Sequence, residues 1–430
     1  MGNLRGAWEI VQESGRSSGS REIRAAVEEF SQKAETNLNR IYRQLKGGCF
    51  RFRAAKGILK TRKGKAPRPI VIAPIEERIV QRSILEVLTT TESVREYVYE
   101  PWSFGGYRKD SRPMGHRSFG GLRKRGVRDA ISAACYAVYH EGARYYVRSD
   151  IEGFFTRIPR SYVLEKISEL IPDRSFCALL QAATDCELEN LAQLGQQVDL
   201  FPTHEMGIAQ GCCLSPLLGN VLLAGFDAQM NGRGIKCLRY IDDFLLLGES
   251  EHRVMRAFES AQRILAAFNM SAYDPRNERE KAQKGETLNG FEFLGCVITR
   301  GRVSPNEKSQ SRLKDRVRTS LDEARSKWSN PKERDYRYSL VESLFSISKV
   351  IQAWGSQYQF ANNRKLWEKL DKEIDNLIRK HIQSYGSVRS RLVQQKDSLA
   401  LRRTLGVFSL LDCKSESIFP LMQSVPPVPL

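Results

Sequence analysis

Two adjacent aspartates, Asp242 and Asp243, sit in the middle of the apolar run Leu238-Arg-Tyr-Ile-Asp-Asp-Phe-Leu-Leu-Leu-Gly248. Such a run reads as a hairpin centred on the acidic pair. Apolar-Asp-Asp-apolar nevertheless lacks the Gly or Asn that tight hairpins favour. Two ionised carboxylates among Tyr, Ile, Phe and Leu also repel each other and resist burial. A fold tolerates that arrangement where a cation resides; the alternative is a plain polar turn. Asp150 stands in a similar setting, at the end of Tyr145-Tyr-Val-Arg-Ser149, which reads as a short strand. Oxygen donors with few imidazoles or thiolates nearby suit Mg²⁺, which keeps several waters and takes further ligands from substrate phosphates.

The charge balance narrows the class of partner. Lys and Arg number 68 against 50 Asp and Glu, a net charge of +18, with a pI near 9.5, which points to a polyanion. Arg51, Arg53, Lys56, Lys60, Arg62, Lys63, Lys65 and Arg68 form one run without an acid. Arg108, Lys109, Arg112, Arg117, Arg123, Lys124, Arg125 and Arg128 form a second, opposed only by Asp110. A solvated surface normally mixes the two signs, and such clusters suit a nucleic-acid backbone, whose condensed counterions they release. A membrane-surface patch or an aid to solubility is the competing reading. No stretch of about 18 apolar residues offers a membrane span. The start Met-Gly-Asn-Leu-Arg-Gly carries neither a secretory core nor the Ser or Thr of a myristoylation site, so a cytoplasmic protein is expected. Nine cysteines lack metal spacing and read as reduced, mostly buried thiols, with Cys212 and Cys213 adjacent. His116, His140, His204, His252 and His381 complete no zinc site.

Periodicity places a helix over residues 20–46, ended by Gly47-Gly48, and a hairpin over 50–73 with Lys-Gly-Lys-Ala-Pro as its turn. Residues 76–88 read as a helix, and 103–126 as an irregular Gly- and Arg-rich stretch in which Ser-Phe-Gly-Gly occurs twice. Residues 162–170 read as a helix with Ser161 as its cap. A long helical stretch to about Leu194, a loop, a helix from Ser215 and a helix over 253–268 follow. Residues 291–299 read as a strand pair, and the chain beyond Asn306 as helical and basic up to the Pro-rich end Val425-Pro-Pro-Val-Pro-Leu. Strands and helices mix without strict βαβ alternation, which argues for an α+β fold around an antiparallel sheet.

Tyr240-Ile-Asp242-Asp243 resembles the Tyr-x-Asp-Asp box of reverse transcriptases, and Asp150-Ile-Glu-Gly-Phe-Phe155 resembles their first catalytic motif. Gly207-Ile-Ala-Gln210-Gly211-Cys-Cys-Leu-Ser215-Pro-Leu-Leu-Gly-Asn220 is similar to the Gln-Gly…Leu-Ser-Pro-Leu-Leu-x-Asn motif of the bacterial and group II intron branch. Lys65-Ala-Pro-Arg68-Pro-Ile70, followed by Glu77-Arg-Ile-Val-Gln81, resembles the fingers motifs. Phe291-Glu-Phe-Leu-Gly295 resembles the primer-grip turn, and Ala353-Trp-Gly355 with the segment from Leu366 to Ile382 resembles the helical thumb. The resemblance implies a right-hand polymerase fold of the α+β class. Its parts would be an N-terminal helical extension over 1–49, fingers over 50–145, an antiparallel-sheet palm over 146–300, and a helical thumb with a C-terminal tail over 301–430.

The resemblance further implies an RNA-directed DNA polymerase using two Mg²⁺ ions, with Mn²⁺ as a substitute. Asp150 and Asp242 would hold the metals, with Ile151 in the metal shell and Asp243 in support. Two ions about 3.5–4 Å apart can activate the attacking 3′-hydroxyl and stabilise the leaving pyrophosphate. Phe155 matches the aromatic that stacks beneath the incoming sugar and excludes a 2′-hydroxyl; plain core packing is its alternative. Arg68 and Lys65 would grip the triphosphate, by bidentate hydrogen bonds and by a point charge, or else form a general backbone-binding patch. Gln210 and Gly211 would sit against the incoming nucleotide and template base, Gly permitting close backbone approach. Lys281 matches the lysine that protonates leaving pyrophosphate; a solvated lysine at a helix end is the alternative.

The hallmark motifs of retron enzymes are absent, as is a zinc-bearing endonuclease tail, and no length remains for an RNase H domain. A core of this size most resembles stand-alone, defence-associated bacterial reverse transcriptases, many of which pair with a structured noncoding RNA. The partners implied are such an RNA as template, a DNA product and dNTPs, without a membrane. Two competing readings remain: template-independent DNA synthesis by the same site, and a noncatalytic RNA-binding intron maturase. The second would not need Asp150, Asp242, Asp243, Phe155 and Gln210 intact.

Overall fold

The computed structural model describes residues 1–62, 65–99, 126–202, 205–231, 235–278, 280–329, 340–384 and 410–413. The second basic run up to Arg125, both Ser-Phe-Gly-Gly copies and the Pro-rich end lie outside the described residues. The chain divides into two compact units, Met1–Gly285 and Glu286–Leu430.

The first unit opens with α1 (Gly2–Arg16), α2 (Arg21–Gln32) and α3 (Ala34–Lys46). Helix α1 lies within the helical extension expected over 1–49 but ahead of the segment that periodicity delimited; Leu4, Trp8 and Val11 follow helical spacing and are buried, Trp8 lying 4.6 Å from Phe30 between ring centroids. The single helix expected over 20–46 is two. Lys33 leaves the helical region (φ −131, ψ 33), so α2 buries Val27 and Phe30 while α3 buries Leu38 and Ile41 on a redirected face. The hairpin forms as β1 (Lys56–Arg62) and β2 (Lys65–Ile72), but its turn is shorter than expected, because Lys65, Ala66 and Pro67 already belong to β2. Next come α4 (Ile75–Thr90), α5 (Glu92–Tyr99), α6 (Val127–Tyr139), β3 (Tyr145–Asp150), the single turn α7 (Phe154–Arg157) and α8 (Arg160–Leu170). Helix α8 begins one residue before Ser161, after Pro159, so Ser161 lies inside the first turn rather than capping it.

The long helix expected up to Leu194 is interrupted. After α9 (Arg174–Thr184) the chain extends at Asp185, and Ala55 bonds to it through Glu187 and Glu189 at 2.8 and 2.9 Å. Cys186, Leu188 and Phe201 then pack on Ala55 and Val71, a tertiary demand that overrides local helix propensity. The unit continues through α10 (Leu191–Leu194), α11 (Ser215–Asn231), β4 (Lys236–Tyr240), β5 (Asp243–Gly248), α12 (Glu251–Ala266) and β6 (Gln283–Glu286). A four-stranded sheet runs β4-β5-β3-β6, with β5 antiparallel to both neighbours. Helix α11 is apolar around most of its circumference and correspondingly buried, as expected of a central helix. In the core, Phe226 of α11 meets the Phe244 ring of β5 edge-on at 5.8 Å, and Phe244 stacks on Phe258 of α12 at 6.4 Å.

The second unit begins with an antiparallel sheet of β7 (Phe291–Phe293), β8 (Cys296–Thr299) and β9 (Arg302–Pro305), one strand more than the expected pair. Its first turn, Leu294-Gly295, has both residues at positive φ (48 and 78), the requirement of a two-residue hairpin of the primed type. Three helices follow, α13 (Glu307–Ser329), α14 (Leu340–Gln357) and α15 (Arg364–Ser384), packed through Leu313, Val317, Ile347, Ile351, Ile374 and Ile378. His381 is fully buried against Ser343 Oγ at 2.8 Å, and burial pushes its imidazole down to about 4, the behaviour of a neutral core histidine. The α+β class read from the sequence is therefore what forms. Among the described residues, no helix is long and apolar enough to cross a membrane.

Candidate active site

Strand pairing brings the three aspartates together. In the β3–β5 ladder Asp150 stands directly opposite Asp243, and in the β4–β5 ladder Tyr240 does. Side chains opposed in this way have Cβ atoms about 4.5–5.5 Å apart. The two-residue turn Ile241-Asp242 joins β4 to β5, and the Ile151 N–H donates to the Asp242 carbonyl at 3.0 Å. The Asp150 carbonyl accepts from Tyr273 N at 3.1 Å. The turn is strained, since Ile241 sits at φ 61, a region that β-branched residues avoid. It is held from below by Arg239, whose buried guanidinium donates to the Ile241 carbonyl at 2.8 Å, to Asn220 Oδ1 at 2.9 Å, and to both oxygens of Asp227 at 2.8 and 2.6 Å.

Burial raises all three carboxyls, and mutual repulsion adds to the rise at Asp150 and Asp243. Burial, reinforced by Asp242 and Asp243, pushes the Asp150 carboxyl up to about 7, while Lys281 and Arg148 oppose the rise. Burial and Asp242 push Asp243 up to about 6. Asp242 is raised by burial as well, against the pull of its own turn's N–H groups and of Arg68 and Arg239. Among the described residues no group of three or more His, Cys, Asp or Glu could by itself hold a metal ion. Oxygen donors that do not complete a site alone are compatible with Mg²⁺, which takes part of its shell from water and phosphate oxygens. Ile151 has a buried apolar side chain, so only its main-chain carbonyl can serve a metal.

Of the residues expected around the nucleotide, Arg68 on β2 meets Gln210, which with Gly211 lies on the loop before α11. Arg68, exposed on β2, donates through Nε to Gln210 Oε1, and Val71 N donates to the Gln210 carbonyl at 2.8 Å. Gly211 has φ +114, and a Cβ there would lie 2.7 Å from the Val71 carbonyl, so only glycine lets this loop lie against β2. Phe155 is half-buried on α7, its carbonyl accepting from Ile208 N at 2.8 Å and its ring 5.3 Å from that of Phe154. Gly219 lets α11 approach α7, since a Cβ there would lie 2.7 Å from the Phe154 ring. Lys281 is not at a helix end. It lies in the loop before β6, hydrogen-bonded to Tyr273 Oη, 3.9 Å from that ring's centroid, and near enough to Asp150 to oppose its rise. Lys65 pairs with Arg62 through the backbone, and its side chain lies outside the described residues.

The first basic run is less free than its sequence suggests, because other elements supply acids to it. Arg53 pairs with Glu77 at 2.8 Å and Glu76 at 3.7 Å, and Lys56 with Glu22 at 3.1 Å. Sequence reading also missed the support beneath the turn. Asn220 closes the Ser-Pro-Leu-Leu-x-Asn motif, Asp227 follows seven residues later on the same face of α11, and Arg239 interrupts an apolar strand. A charged residue in such a strand was the available signal.

A model of the family described as reverse transcriptase (RNA-dependent DNA polymerase) matches residues 58–298, more than half of the chain. Protein YkfC of Escherichia coli (strain K12) is 24% identical, over 55% of this chain and 64% of its own. An uncharacterized 91 kDa protein in the cob intron of Schizosaccharomyces pombe is 25% identical, over 44% of this chain and 20% of its own. The chain thus spans less than two thirds of either relative. Among solved structures, telomerase from Candida albicans in complex with a fragment of telomeric RNA aligns with a TM-score of 0.44 and 10% identity, over 85% of this chain and 67% of that one.

Proposed function

The chain belongs to the reverse transcriptase family, and from that premise we propose that it is an RNA-directed DNA polymerase whose chemistry is carried by Asp150, Asp242 and Asp243. The fold is accordingly the right-hand polymerase fold expected from the sequence. The observation that carries the proposal is the opposition of Asp150 and Asp243 across one ladder, with Asp242 at the adjoining turn. Bound divalent ions, two Mg²⁺ with Mn²⁺ as substitute, would lower the pKa of a primer 3′-hydroxyl and neutralise charge on the departing pyrophosphate. Asp150 and Asp242, with the Ile151 carbonyl, would hold those ions, and Asp243 would keep the local field negative. Arg68, tied to Gln210, would orient the triphosphate through its remaining donors. Phe155 would exclude a 2′-hydroxyl, Gly211 would leave room for the base pair, and Lys281 would offer a proton to pyrophosphate. Lys65 is proposed to assist Arg68 as a second cation.

We further propose a structured noncoding RNA as template and a role in bacterial antiphage defence. The motif resemblance and the net charge of +18 support this reading. The test is primer extension by the purified chain on an RNA template with dNTPs and Mg²⁺, beside Asp242→Ala/Asp243→Ala. Complementary DNA from the wild type alone is expected. RNA binding without any nucleotide joining would overturn the proposal in favour of a maturase. Equal synthesis without template would favour untemplated addition, and sequencing of co-purified nucleic acid would identify the RNA.

A further inference from the structure

Where β3 ends at Asp150, the chain keeps an antiparallel partner in residues 271–273. Glu152 N donates to the Ser271 carbonyl at 2.8 Å and Tyr273 N to the Asp150 carbonyl at 3.1 Å, with Ile151 facing Ala272 between them. Ser149 Oγ adds a bond to the Tyr273 carbonyl at 2.7 Å, and Ser271 Oγ one to Glu152 Oε2 at 3.1 Å. In a pair flanked this way the two central residues do not bond to each other, so the N–H and C=O of each point outward. Ile151 N accordingly donates to the Asp242 carbonyl at 3.0 Å, and the Ile151 carbonyl leaves the strand on that same side.

The N–H and C=O of Ala272 point the opposite way. Ala272 is buried, and both groups need partners. A single side chain supplies them: Gln262 Oε1 accepts from Ala272 N at 2.8 Å, and Gln262 Nε2 donates to the Ala272 carbonyl at 2.7 Å. The amide thus copies the pairing that a further strand would make. The end of α12 makes this possible. Met270 N returns to the Leu265 carbonyl at 3.1 Å, and Asn269 takes φ 55, a left-handed position that asparagine tolerates after a helix. The chain reverses there and brings Ala272 alongside a side chain ten positions earlier.

We propose, on the reading of Asp150, Asp242 and the Ile151 carbonyl as metal ligands, that Gln262 is a positioning residue for nucleotide addition: its amide locks residues 271–273, which hold Asp150 and Ile151 in register with the 242–243 turn. Gln262 contributes no ligand of its own and acts through main chain. Asn falls one methylene short of this bridge, and Leu offers neither donor nor acceptor. An ionised Glu still accepts from Ala272 N but sets a second acceptor against the Ala272 carbonyl. Loss of the amide therefore falls on the groups that face the metal, and leaves the contact of Arg68 with Gln210 intact.

Hydrogen exchange and primer extension on the full chain test this, each comparing wild type with Gln262→Leu and with Val254→Ala. Val254 is buried in the first turn of the same helix, so its truncation destabilises α12 away from the bridge. Peptides over 149–155 and 270–275 are expected to exchange about tenfold or more faster in Gln262→Leu and at the wild-type rate in Val254→Ala. In primer extension Gln262→Leu should lower kcat about tenfold and raise the Mg²⁺ concentration needed for half-maximal rate, with the dNTP KM within about twofold of wild type. Gln262→Glu, which keeps one of the two bonds, should fall between. Unchanged exchange over 149–155 in Gln262→Leu overturns the lock. Faster exchange with kcat and Mg²⁺ dependence unchanged, or changed equally in Val254→Ala, overturns the positioning role and leaves Gln262 as fold support. If the wild type joins no nucleotides, the polymerase reading itself fails, and exchange still decides whether Gln262 holds the end of β3.

Discussion

The Arg239 guanidinium donates to the carbonyl of Ile241, the left-handed residue whose turn carries Asp242. The same guanidinium is neutralised by Asp227 inside the core, so one side chain serves both stability and the shape of the site. Arg239→Met leaves Asp227 buried and unpaired, and a loss of about 3–5 kcal/mol is expected in urea unfolding. Asp227→Leu/Arg239→Met removes both charges and should recover most of that loss. It still leaves the Ile241 carbonyl without its donor, and primer extension should remain about tenfold or more below wild type, ~1.4 kcal/mol in the barrier. Full activity in a stable double variant would show that the turn needs no tether.

The raised carboxylates set a pH dependence in the metal-free protein. Asp150 ionises near 7 in the fold against an ordinary 3.8. Between those values the folded chain keeps a proton that the unfolded chain has released, so ionisation destabilises the fold increasingly as pH rises, reaching its full extent above 7. Asp150→Asn removes that cost. In EDTA at pH 8 the variant should be more stable than wild type by on the order of 2 kcal/mol. The gap should shrink as pH falls toward 4, and Mg²⁺ should raise the melting temperature of the wild type but not of the variant. The variant should be inactive as a polymerase. A gap that does not change with pH would sink this account.

The acidic constellation was legible because a carboxylate in an apolar run is costly wherever it lies, so Asp150, Asp242 and Asp243 announced themselves without tertiary information. Arg239 also interrupts such a run, but its partners Asp227 and Asn220 lie on another element, and only the packing of α11 beneath β4 shows why it is there. The break at Lys33 was hidden because apolar residues continue in near-helical spacing across it. Two members of the basic run over 51–68, Arg53 and Lys56, have acidic partners that the sequence could not show, because Glu22, Glu76 and Glu77 approach them only in three dimensions. Lys281 could not be placed from sequence because its position depends on the ring of Tyr273, across a loop without regular structure.

Phe155 combines a half-buried ring with a backbone fixed by Ile208, so trimming its side chain should alter the wall of the proposed pocket more than the fold. Phe155→Val is expected to raise ribonucleotide use relative to deoxynucleotide use by about 10- to 100-fold in kcat/KM. Competition between the two nucleotides in primer extension measures this directly. Unchanged sugar selectivity would reduce Phe155 to core packing.

Gly211 offers a separate test of the proposed nucleotide pocket. Alanine there would need φ +114, far outside its comfortable range, and would set its Cβ 2.7 Å from the Val71 carbonyl. Because the neighbour is main chain, relief must come from the loop moving off β2, which loosens the Gln210 contact to Val71 and the Gln210 hold on Arg68. Strain of this kind costs about 1–3 kcal/mol. Part should appear as a lower melting temperature and part as a higher dNTP KM, while Mg²⁺ dependence stays as in wild type because the aspartates are on other elements. Arg68→Gln should raise the KM without the stability loss, since Arg68 is exposed and removing it leaves the backbone of the turn in place. If Gly211→Ala lowered stability but left the KM at its wild-type value, the 210–211 turn would be a packing element and not part of the nucleotide pocket.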